Sequence, residues 1–302
     1  MNLANVTNRD VRAEIARLLV YPVKSCAGIE VQEALLTGTG LDLDRAWMVV
    51  DAQGLFMTQR EHPRLALLRP QINPDALVLS TPEMPALRVA LNVQRQPLFV
   101  KIWDDEVPAF DMGDEAAQWL TEFLELPNST RRRSMTGAYR LVRFNPAHRR
   151  VSSLLWTEGV QALNQFSDGF PLLVLGEASH AQLNERLVAA GHSSVSIERF
   201  RPNVVLSGLQ AHDEDHLGVM YLEAGAEEVL LKPVKPCPRC PIPNVDPLTA
   251  RISPEVGDTL QSYRKDARVS GAVSFGMNTI VLRGVGAVLH VGQTVSADFD
   301  FG

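Results

Sequence analysis

Short apolar runs separated by turn-forming residues fill about the first 110 residues of the chain, and this pattern predicts strands. The first apolar stretch covers residues 15–23 and leads directly into Lys24 and Ser25. The runs AWMVV and LFMT are joined by the turn-prone residues 51–54, which predicts a hairpin. Further strand candidates are ALVLS from Ala76, LRVAL from Leu87 and LFVKIW from Leu98. We therefore expect this part of the chain to be mostly sheet.

Helical spacing interrupts the strand pattern at two places. From Asp114, apolar side chains fall at positions 116, 120, 123 and 124, and Pro127 ends the predicted helix. A second helix is predicted after the segment PLLVLG, with Ser179 and Gln182 as a capping box. Between the two helices, residues 128–137 (NSTRRRSMTG) are polar and predict a linker or loop.

The last part of the chain contains two apolar runs interrupted by glycine, at residues 269–282 and 285–295. Glycine inside a strand pattern is typical of a bulge or a barrel corner, so we predict two long, bent strands in a closed or nearly closed barrel. The whole pattern predicts an α+β, β-rich fold in which helices flank the sheets. A length of 302 residues allows two ordinary domains.

Composition narrows the classes of function. The chain is 45% hydrophobic and 21% charged, as expected for a folded enzyme. A formal net charge of -6 gives no general attraction to nucleic acid or to an anionic membrane, so we expect neither as a partner. Three cysteines suit a reducing compartment, and the polar start MNLANVTNRDVRAE has no signal-peptide core. No stretch approaches the ~20 apolar residues that cross a bilayer. We therefore predict a cytoplasmic protein.

The segment KPVKPCPRCPIPNVDP carries the most informative chemistry, because it places Cys237 and Cys240 in a proline-rich loop. Proline fixes φ and removes backbone donors, so these thiols are held on a stiffened backbone. Positive charge near a thiol favours the thiolate, which attacks electrophiles or binds a soft metal. The basic neighbours are Lys232, Lys235 and Arg239.

Several interpretations of these two cysteines remain open. Structural zinc would need more ligands, and the candidates are His212 and His216, since Cys26 is distant in sequence. A thioredoxin-type dithiol would need a helix after the first cysteine, which Pro241 and Pro243 disfavour. One cysteine could instead be the sole protein thiolate on a metal cofactor that brings its other ligands, and this fits the cysteine count best. Simple burial of two small apolar residues is the remaining alternative.

Four segments in order resemble those of MOSC-domain proteins that carry an N-terminal MOSC barrel. They are YPVKSCAGI (21–29), DRAWMVVD (44–51), RFRPNVVLSG (199–208) and CPRCPIPNVDPLTA (237–250). Within that group the chain is similar to the mitochondrial amidoxime reducing components and to bacterial reductases of N-hydroxylated compounds. The resemblance implies an N-terminal β-barrel-like domain over residues 1–130 and a MOSC β-barrel domain over residues 131–302.

The resemblance also implies a molybdenum cofactor, a pterin with a dithiolene and a phosphate, ligated by one protein cysteine. By position in the motif this catalytic and metal-binding residue is Cys240, and Cys237 is not required as a ligand. The other cofactor-binding residues that the resemblance implies are Lys24, Ser25, Arg45, Ser167, Asp168, Arg201, Asn203 and Arg239. Asp246 is expected either to brace the loop or to cap a turn. No role is assigned to Cys26.

The function that the resemblance implies is two-electron reduction of N-hydroxylated or N-oxygenated small molecules such as hydroxylamines, amidoximes and N-hydroxylated bases. Three cysteines are too few for a bound iron-sulfur cluster of ferredoxin type. Electrons are therefore expected from a separate protein, a ferredoxin, a flavodoxin or a cytochrome-type reductase, for which residues 131–133 (RRR) are a candidate docking site. The alternative is a non-catalytic module that binds the cofactor or carries sulfur. Pyridoxal phosphate binding is a further property that the resemblance to MOSC proteins implies.

Overall fold

The computed structural model describes residues 9–91, 96–125, 139–224 and 227–301. Within these ranges the chain forms 21 β-strands and three α-helices. The strands are β1 (Val11–Val20), β2 (Ile29–Val31), β3 (Glu33–Thr37), β4 (Gly40–Leu41), β5 (Trp47–Val50), β6 (Arg69–Asn73), β7 (Ala76–Thr81), β8 (Met84–Ala90), β9 (Pro97–Ile102), β10 (Asp105–Asp111), β11 (Arg140–Phe144), β12 (Arg150–Val151), β13 (Leu163–Asn164), β14 (Leu172–Gly176), β15 (Val204–Ser207), β16 (Met220–Ala224), β17 (Glu227–Pro238), β18 (Lys265–Asp266), β19 (Ala272–Arg283), β20 (Val288–His290) and β21 (Thr294–Ala297). The helices are α1 (Asp114–Glu125), α2 (Glu177–Ala189) and α3 (Glu255–Tyr263).

Seven strands close into a barrel in the order β14, β15, β1, β21, β16, β17 and β19. Closure is made by β14 and β19, where Leu172 pairs with Thr279 and Val174 with Met277. The pair β14 and β15 is parallel, whereas the other neighbours are antiparallel. The barrel interior is filled by buried aliphatic side chains such as Ile15 and Leu206. The prediction of a β-rich fold with a closed or nearly closed barrel is confirmed.

The first strand of the chain belongs to this barrel. In β1, buried and exposed residues alternate over Val11–Ile15, which is the period of a strand with one buried face. Its neighbours are β15 and β21, from the second half of the chain. Strand β3 likewise pairs with β20. The division of the chain at residue 130 stays a prediction, but strand pairing crosses it.

A second set of strands lies between β4 and β12 in the chain. Strands β5, β11, β10 and β9 form one sheet, and β6, β7 and β8 form an antiparallel meander. Helix α1 packs against this region through Leu120 and Phe123, which are completely buried, and Trp119 donates a hydrogen bond to the carbonyl of Pro85 at 2.7 Å. These strands and α1 make up most of the predicted N-terminal barrel-like region.

The structure confirms several sequence predictions and corrects others. The helix from Asp114 and the strands from residues 76, 87 and 98 are present. In the predicted hairpin, β5 forms one arm, but the other arm makes only an isolated bridge between Val50 and Phe56. The predicted long strand over residues 285–295 is wrong, because a turn separates β20 from β21. The polar segment 128–137, including residues 131–133, lies outside the described residues.

The predicted capping box of α2 is also wrong. The helix begins at Glu177, so Ser179 lies within its first turn. The Ser179 hydroxyl donates to Glu214 at 2.7 Å, and the same carboxylate accepts the backbone N–H of Gly176 at 3.1 Å. A buried carboxylate from a distant part of the chain therefore accepts a backbone N–H at the start of α2, where a local capping box was predicted.

Glycine at position 276 allows the closed barrel, and its replacement gives the first testable prediction. Gly276 has φ of 78°, and a Cβ there would lie 2.8 Å from the carbonyl oxygen of Val174 on the closing strand β14. We expect Gly276→Ala to lower the free energy of unfolding by about 3 kcal/mol in urea titrations, because a left-handed alanine costs roughly 1–2 kcal/mol before any clash. Gly271→Ala is the control, since its φ is 77° with no atom within 4 Å. Equal losses in both variants would contradict this explanation.

Candidate functional site

One cavity between the barrel and the strands of the N-terminal region brings together every residue that the sequence predicted for the site. Its wall includes residues from eight separate stretches of the chain. The predicted residues on the wall are Lys24, Ser25, Arg45, Ser167, Asp168, Arg201, Asn203, Arg239 and Cys240. Cys237 also lines it, whereas Cys26 is buried beneath it. Their roles toward a ligand stay predictions, but their convergence is a structural fact.

Lys24 and Ser25 follow β1, where the chain leaves the barrel. The side chain of Lys24 is buried, and its ammonium donates to the carbonyl of Phe166 at 2.9 Å and to Asp168 at 2.6 Å. Burial lowers the pKa of Lys24, and the Asp168 carboxylate opposes this effect. Ser25 adopts a left-handed conformation with φ of 64°. An ammonium has three donors, so Lys24 keeps one for a further acceptor at the cavity.

The guanidinium groups of Arg45 and Arg201 both lie close to the ring of Tyr21. The guanidinium carbons lie 4.5 Å and 4.3 Å from the ring centre of Tyr21. Arg45 pairs with the buried carboxylate of Asp44 at 2.5 Å, which in turn accepts the backbone N–H of Tyr21. Nη1 of Arg201 donates to the carbonyl of Cys26. Burial and then the nearby Arg45 lower the pKa of Arg201 to about 10. The pair is therefore a site where positive charge is held without full compensation.

Asn203 connects this arginine pair to the barrel. Its Oδ1 accepts from Arg45 and from the backbone N–H of Leu173, both at 3.1 Å. Its Nδ2 donates to the carbonyl of Leu19 at 3.2 Å. The amide of Asn203 is therefore bonded to protein groups. It links the Arg45 guanidinium to the backbone of strands β1 and β14 and so helps to position it.

Ser167 and Asp168 lie in the segment before β14, and a buried arginine that the sequence analysis missed fixes that segment. Arg150 donates from Nη1 to the carbonyl of Ser167 and to the side chain of Asn164, both at 2.6 Å. It also pairs with Asp105 at 2.7 Å. Because Arg150 holds the carbonyl of Ser167, the carboxylate of Asp168 is presented to Lys24 in a defined position.

The cysteine loop follows β17. The backbone N–H of Arg239 donates to the carbonyl of Val273 on β19 at 2.8 Å, which anchors the residue before Cys240 to the barrel. The Arg239 guanidinium donates to the sulfur of Cys237 at 3.2 Å and to the carbonyl of Phe200 at 3.0 Å. The positive charge beside a cysteine sulfur is therefore confirmed for Cys237.

Asp246 both caps a turn and braces the loop, so the structure contains both predicted arrangements. One carboxylate oxygen accepts the backbone N–H groups of Leu248 and Thr249 at 2.9 Å. The other pairs with the buried Arg199 at 2.8 Å, and Arg199 also donates to the carbonyl of Pro243. The loop after Cys240 is thereby tied to the short helical turn that precedes Arg201.

Backbone strain is concentrated at the cavity. Among the described residues, nine that are not glycine have positive φ, and four of these line the cavity. The four are Ser25, Arg45, Trp103 and Arg201. Such conformations cost of order 1 kcal/mol or more and persist where the surrounding structure imposes them, commonly at ligand sites. The strain supports a functional role for this cavity independently of any motif.

A second cleft, of about 480 Å³, opens beside the first and shares part of its wall. The residues common to both are Trp103, Asp168, Gly169, Pro238 and Cys240. Cys240 therefore lies at the junction, whereas Cys237 lines only the first cavity. Sequence reasoning missed Thr58, Arg60 and Trp103 on these walls. The available signals were that Thr58 ends the strand candidate LFMT and Trp103 ends the strand candidate LFVKIW.

The structure gives no support to zinc. Among the described residues, no group of three or more Cys, His, Asp or Glu side chains is arranged to hold a metal ion. The ring of His212 bonds to Gln182 and packs near Tyr263 rather than joining the cysteines. Within the same ranges, no helix combines the length and the apolar character needed to cross a membrane.

Comparison with known proteins identifies the family. Residues 12–127 match the family model described as MOSC N-terminal beta barrel domain, and residues 162–296 match the MOSC domain. The chain is 36% identical over 262 residues to the human mitochondrial amidoxime reducing component 2, with 83% of this chain and 72% of that protein covered. It therefore belongs to the MOSC-domain proteins.

More particularly, the chain is homologous to the mitochondrial amidoxime reducing components. It is 35% identical over 263 residues to the human mitochondrial amidoxime-reducing component 1, covering 83% of this chain and 72% of that protein. For the component 1 of Danio rerio the identity is 32% over 295 residues, with 93% and 83% covered. The predicted resemblance is thus confirmed over most of the chain.

Proposed function

We propose that this protein is a molybdenum-cofactor-dependent oxidoreductase that reduces N-hydroxylated or N-oxygenated compounds. The observation that carries the proposal is one cavity lined by five cationic side chains, a single carboxylate and Cys240. The cationic residues are Lys24, Arg45, Arg60, Arg201 and Arg239. Such a wall suits an anionic ligand with phosphate oxygens. Reductase activity is supported by the relatives, which are named as amidoxime reducing components.

The hydrogen-bond inventory of the cavity fits the cofactor. Nη2 of Arg201 and Nε of Arg239 are buried and have no hydrogen-bond partner among the described residues. A buried donor without a partner costs about 1–3 kcal/mol, and more when it is charged. Acceptor oxygens or ring nitrogens of a bound pterin phosphate would satisfy both atoms. The cavity therefore has the donors that such a ligand needs.

The residues of the cavity would have different roles in binding the cofactor, according to their side-chain chemistry. The free hydrogen of the Lys24 ammonium, the hydroxyl of Ser25 and the Arg45 guanidinium would hold the phosphate and pterin. Cys240 would ligate the metal, because its thiolate is a soft ligand at the junction with the second cleft, whereas Cys237 lines only the first cavity. When bound, the cofactor would supply the two-electron reducing chemistry. The cleft beyond Cys240 would admit the substrate.

The electron source belongs to another protein in this proposal. The chain has three cysteines, fewer than the four thiolate ligands of a ferredoxin-type cluster. A separate ferredoxin, flavodoxin or cytochrome-type reductase would therefore deliver the electrons for reduction of the small-molecule substrate. A cytoplasmic location stays a prediction, and no observation supports pyridoxal phosphate as a ligand.

Metal content and turnover test the proposal together. We expect protein produced with molybdate to contain stoichiometric molybdenum by elemental analysis. With reduced methyl viologen it should convert benzamidoxime to benzamidine, measured by chromatography. Molybdenum without turnover would instead favour the non-catalytic cofactor carrier. Stoichiometric zinc without molybdenum would refute both functions.

A further inference from the structure

Trp103 occupies the tip of a hairpin that points at the junction of the two cavities. It lies in the two-residue turn between β9 and β10, where Ile102 pairs with Asp105. Its side chain lines both the cationic cavity and the adjoining cleft, as Cys240 does. Trp103 therefore stands where a substrate in the cleft would meet the reacting end of a cofactor.

The turn holds this tryptophan at an energetic cost. Trp103 has φ of 54°, a left-handed conformation that glycine adopts readily and large residues rarely adopt. The cost is roughly 1–2 kcal/mol. Folding alone would favour glycine at this position, so the presence of an indole here indicates a use for the side chain.

The indole is fixed by three neighbours. Nε1 donates to Asp168 at 3.2 Å, the Arg60 guanidinium carbon lies 4.7 Å from the ring centre, and the Phe56 ring lies 5.0 Å away at an angle of 55°. Despite these contacts Trp103 is 41% exposed. A rigid aromatic surface is thus presented to the cleft, and its orientation is linked through Asp168 to Lys24 of the cationic cavity.

We infer that Trp103 is a specificity-determining residue, a stacking platform that favours N-hydroxylated substrates with a planar aromatic body over those without a ring. The inference rests on the proposed function for the identity of the reacting group. The cleft volume of about 480 Å³ falls within the range of small-molecule sites. Offset stacking on a fixed ring is worth about 0.5–1.5 kcal/mol beyond the area buried. The N–OH group would then face Cys240 across the junction.

A pair of substrates separates the effect of stacking on Trp103 from any effect on the reduction step. Benzamidoxime and acetamidoxime carry the same reducible group, and only the first has a ring. Trp103→Gly removes the indole and suits the positive φ, so the hairpin is not strained further. We expect this variant to lower the ratio of kcat/KM for benzamidoxime to that for acetamidoxime about tenfold, which corresponds to the loss of one stacked contact and its buried area. Trp103→Phe should restore most of the ratio.

Phe99→Ala is the matched control, because Phe99 is an exposed aromatic residue on strand β9, which leads into the turn, and lines neither cavity. It should leave the ratio unchanged. A parallel titration follows tryptophan emission with benzamidoxime, and a saturable change is expected in the parent and in Phe99→Ala but not in Trp103→Gly. This binding signal is independent of turnover, so it tests the platform even if the proposed reaction fails.

Three results would overturn the inference. The first is an equal loss of kcat/KM for both amidoximes in Trp103→Gly, which would make the indole a structural support only. The second is the absence of a saturable emission change in the parent protein. If Trp103→Gly turned over both amidoximes with an unchanged ratio of their kcat/KM values, the stacking role of Trp103 would likewise be refuted, whereas the proposed reductase function would not.

Discussion

Cys240→Ser is expected to abolish reduction of benzamidoxime and to remove molybdenum from the purified protein. A serine hydroxyl is a much poorer ligand than a thiolate for a soft metal centre, and Cys240 is the cysteine at the junction of the two cavities. Changes that only support a metal ligand cost 10–100-fold, so loss of the ligand itself should lower turnover at least about a hundredfold. Steady-state rates and elemental analysis of the same preparation measure both effects.

Cys237→Ser is the matched control for that experiment. The sulfur of Cys237 accepts from Arg239 at 3.2 Å, and a serine oxygen can accept the same bond. Molybdenum content and rate should therefore remain within about threefold of the parent, the change expected for one retained hydrogen bond of altered strength. If Cys237→Ser lost the metal and Cys240→Ser retained it, the assignment of the two cysteines would be reversed.

Arg201→Met is expected to weaken cofactor retention without lowering the stability of the cofactor-free protein. The guanidinium is held in the protein with its pKa lowered to about 10 by burial and by Arg45, and its Nη2 lacks a partner among the described residues. Replacing such a charge with an apolar side chain should not lower the free energy of unfolding of the cofactor-free protein. That free energy should stay unchanged or rise by about 1–3 kcal/mol. Cofactor retention should fall roughly ten- to a hundredfold through loss of charged hydrogen bonds.

Arg199→Met provides the contrast, because this arginine lies two residues away and forms an ion pair with a carboxylate of the protein. It pairs with Asp246 at 2.8 Å and bonds to the carbonyl of Pro243. Its loss leaves a carboxylate unpaired, so the free energy of unfolding should fall by about 2 kcal/mol, less than for a fully buried pair. Urea titrations and molybdenum analysis compare the two variants. Parallel losses of stability in both would show that Arg201 also serves the fold.

Local elements were predictable where the chain repeats a simple period. The helix of Asp114–Glu125 follows from apolar spacing with acidic residues at its start, and β1 follows from alternation. The start of α2 was not predictable, because Glu214 caps it from a distant part of the chain. The apolar stretch after residue 285 was misjudged because its two halves pair with different strands: β20 pairs with β3 outside the barrel, and β21 pairs with β1 within it.

The candidate site was predictable only as far as ordered motifs reach. These motifs named Lys24, Arg45 and Cys240 as candidates, and the structure brings them to one cavity. Trp103 and Arg150 were missed, since neither lies in a quoted motif and each acts through its position. A tryptophan at a strand end is ordinary in sequence; its positive φ and its place on two cavity walls are visible only in three dimensions.

By itself, the sequence determined the β-rich character of the chain, the amphipathic helix α1, the stiff cysteine loop and membership of the MOSC proteins. These properties depend on neighbouring residues and on side-chain periods, which act over short distances along the chain. Only the tertiary structure decided that β1 closes a barrel with later strands and that Lys24 meets Asp168, 144 residues away. It also decided which cysteine stands at the junction of the cavities. Such contacts are selected by the packing of the whole molecule, because no local pattern encodes where distant strands come together.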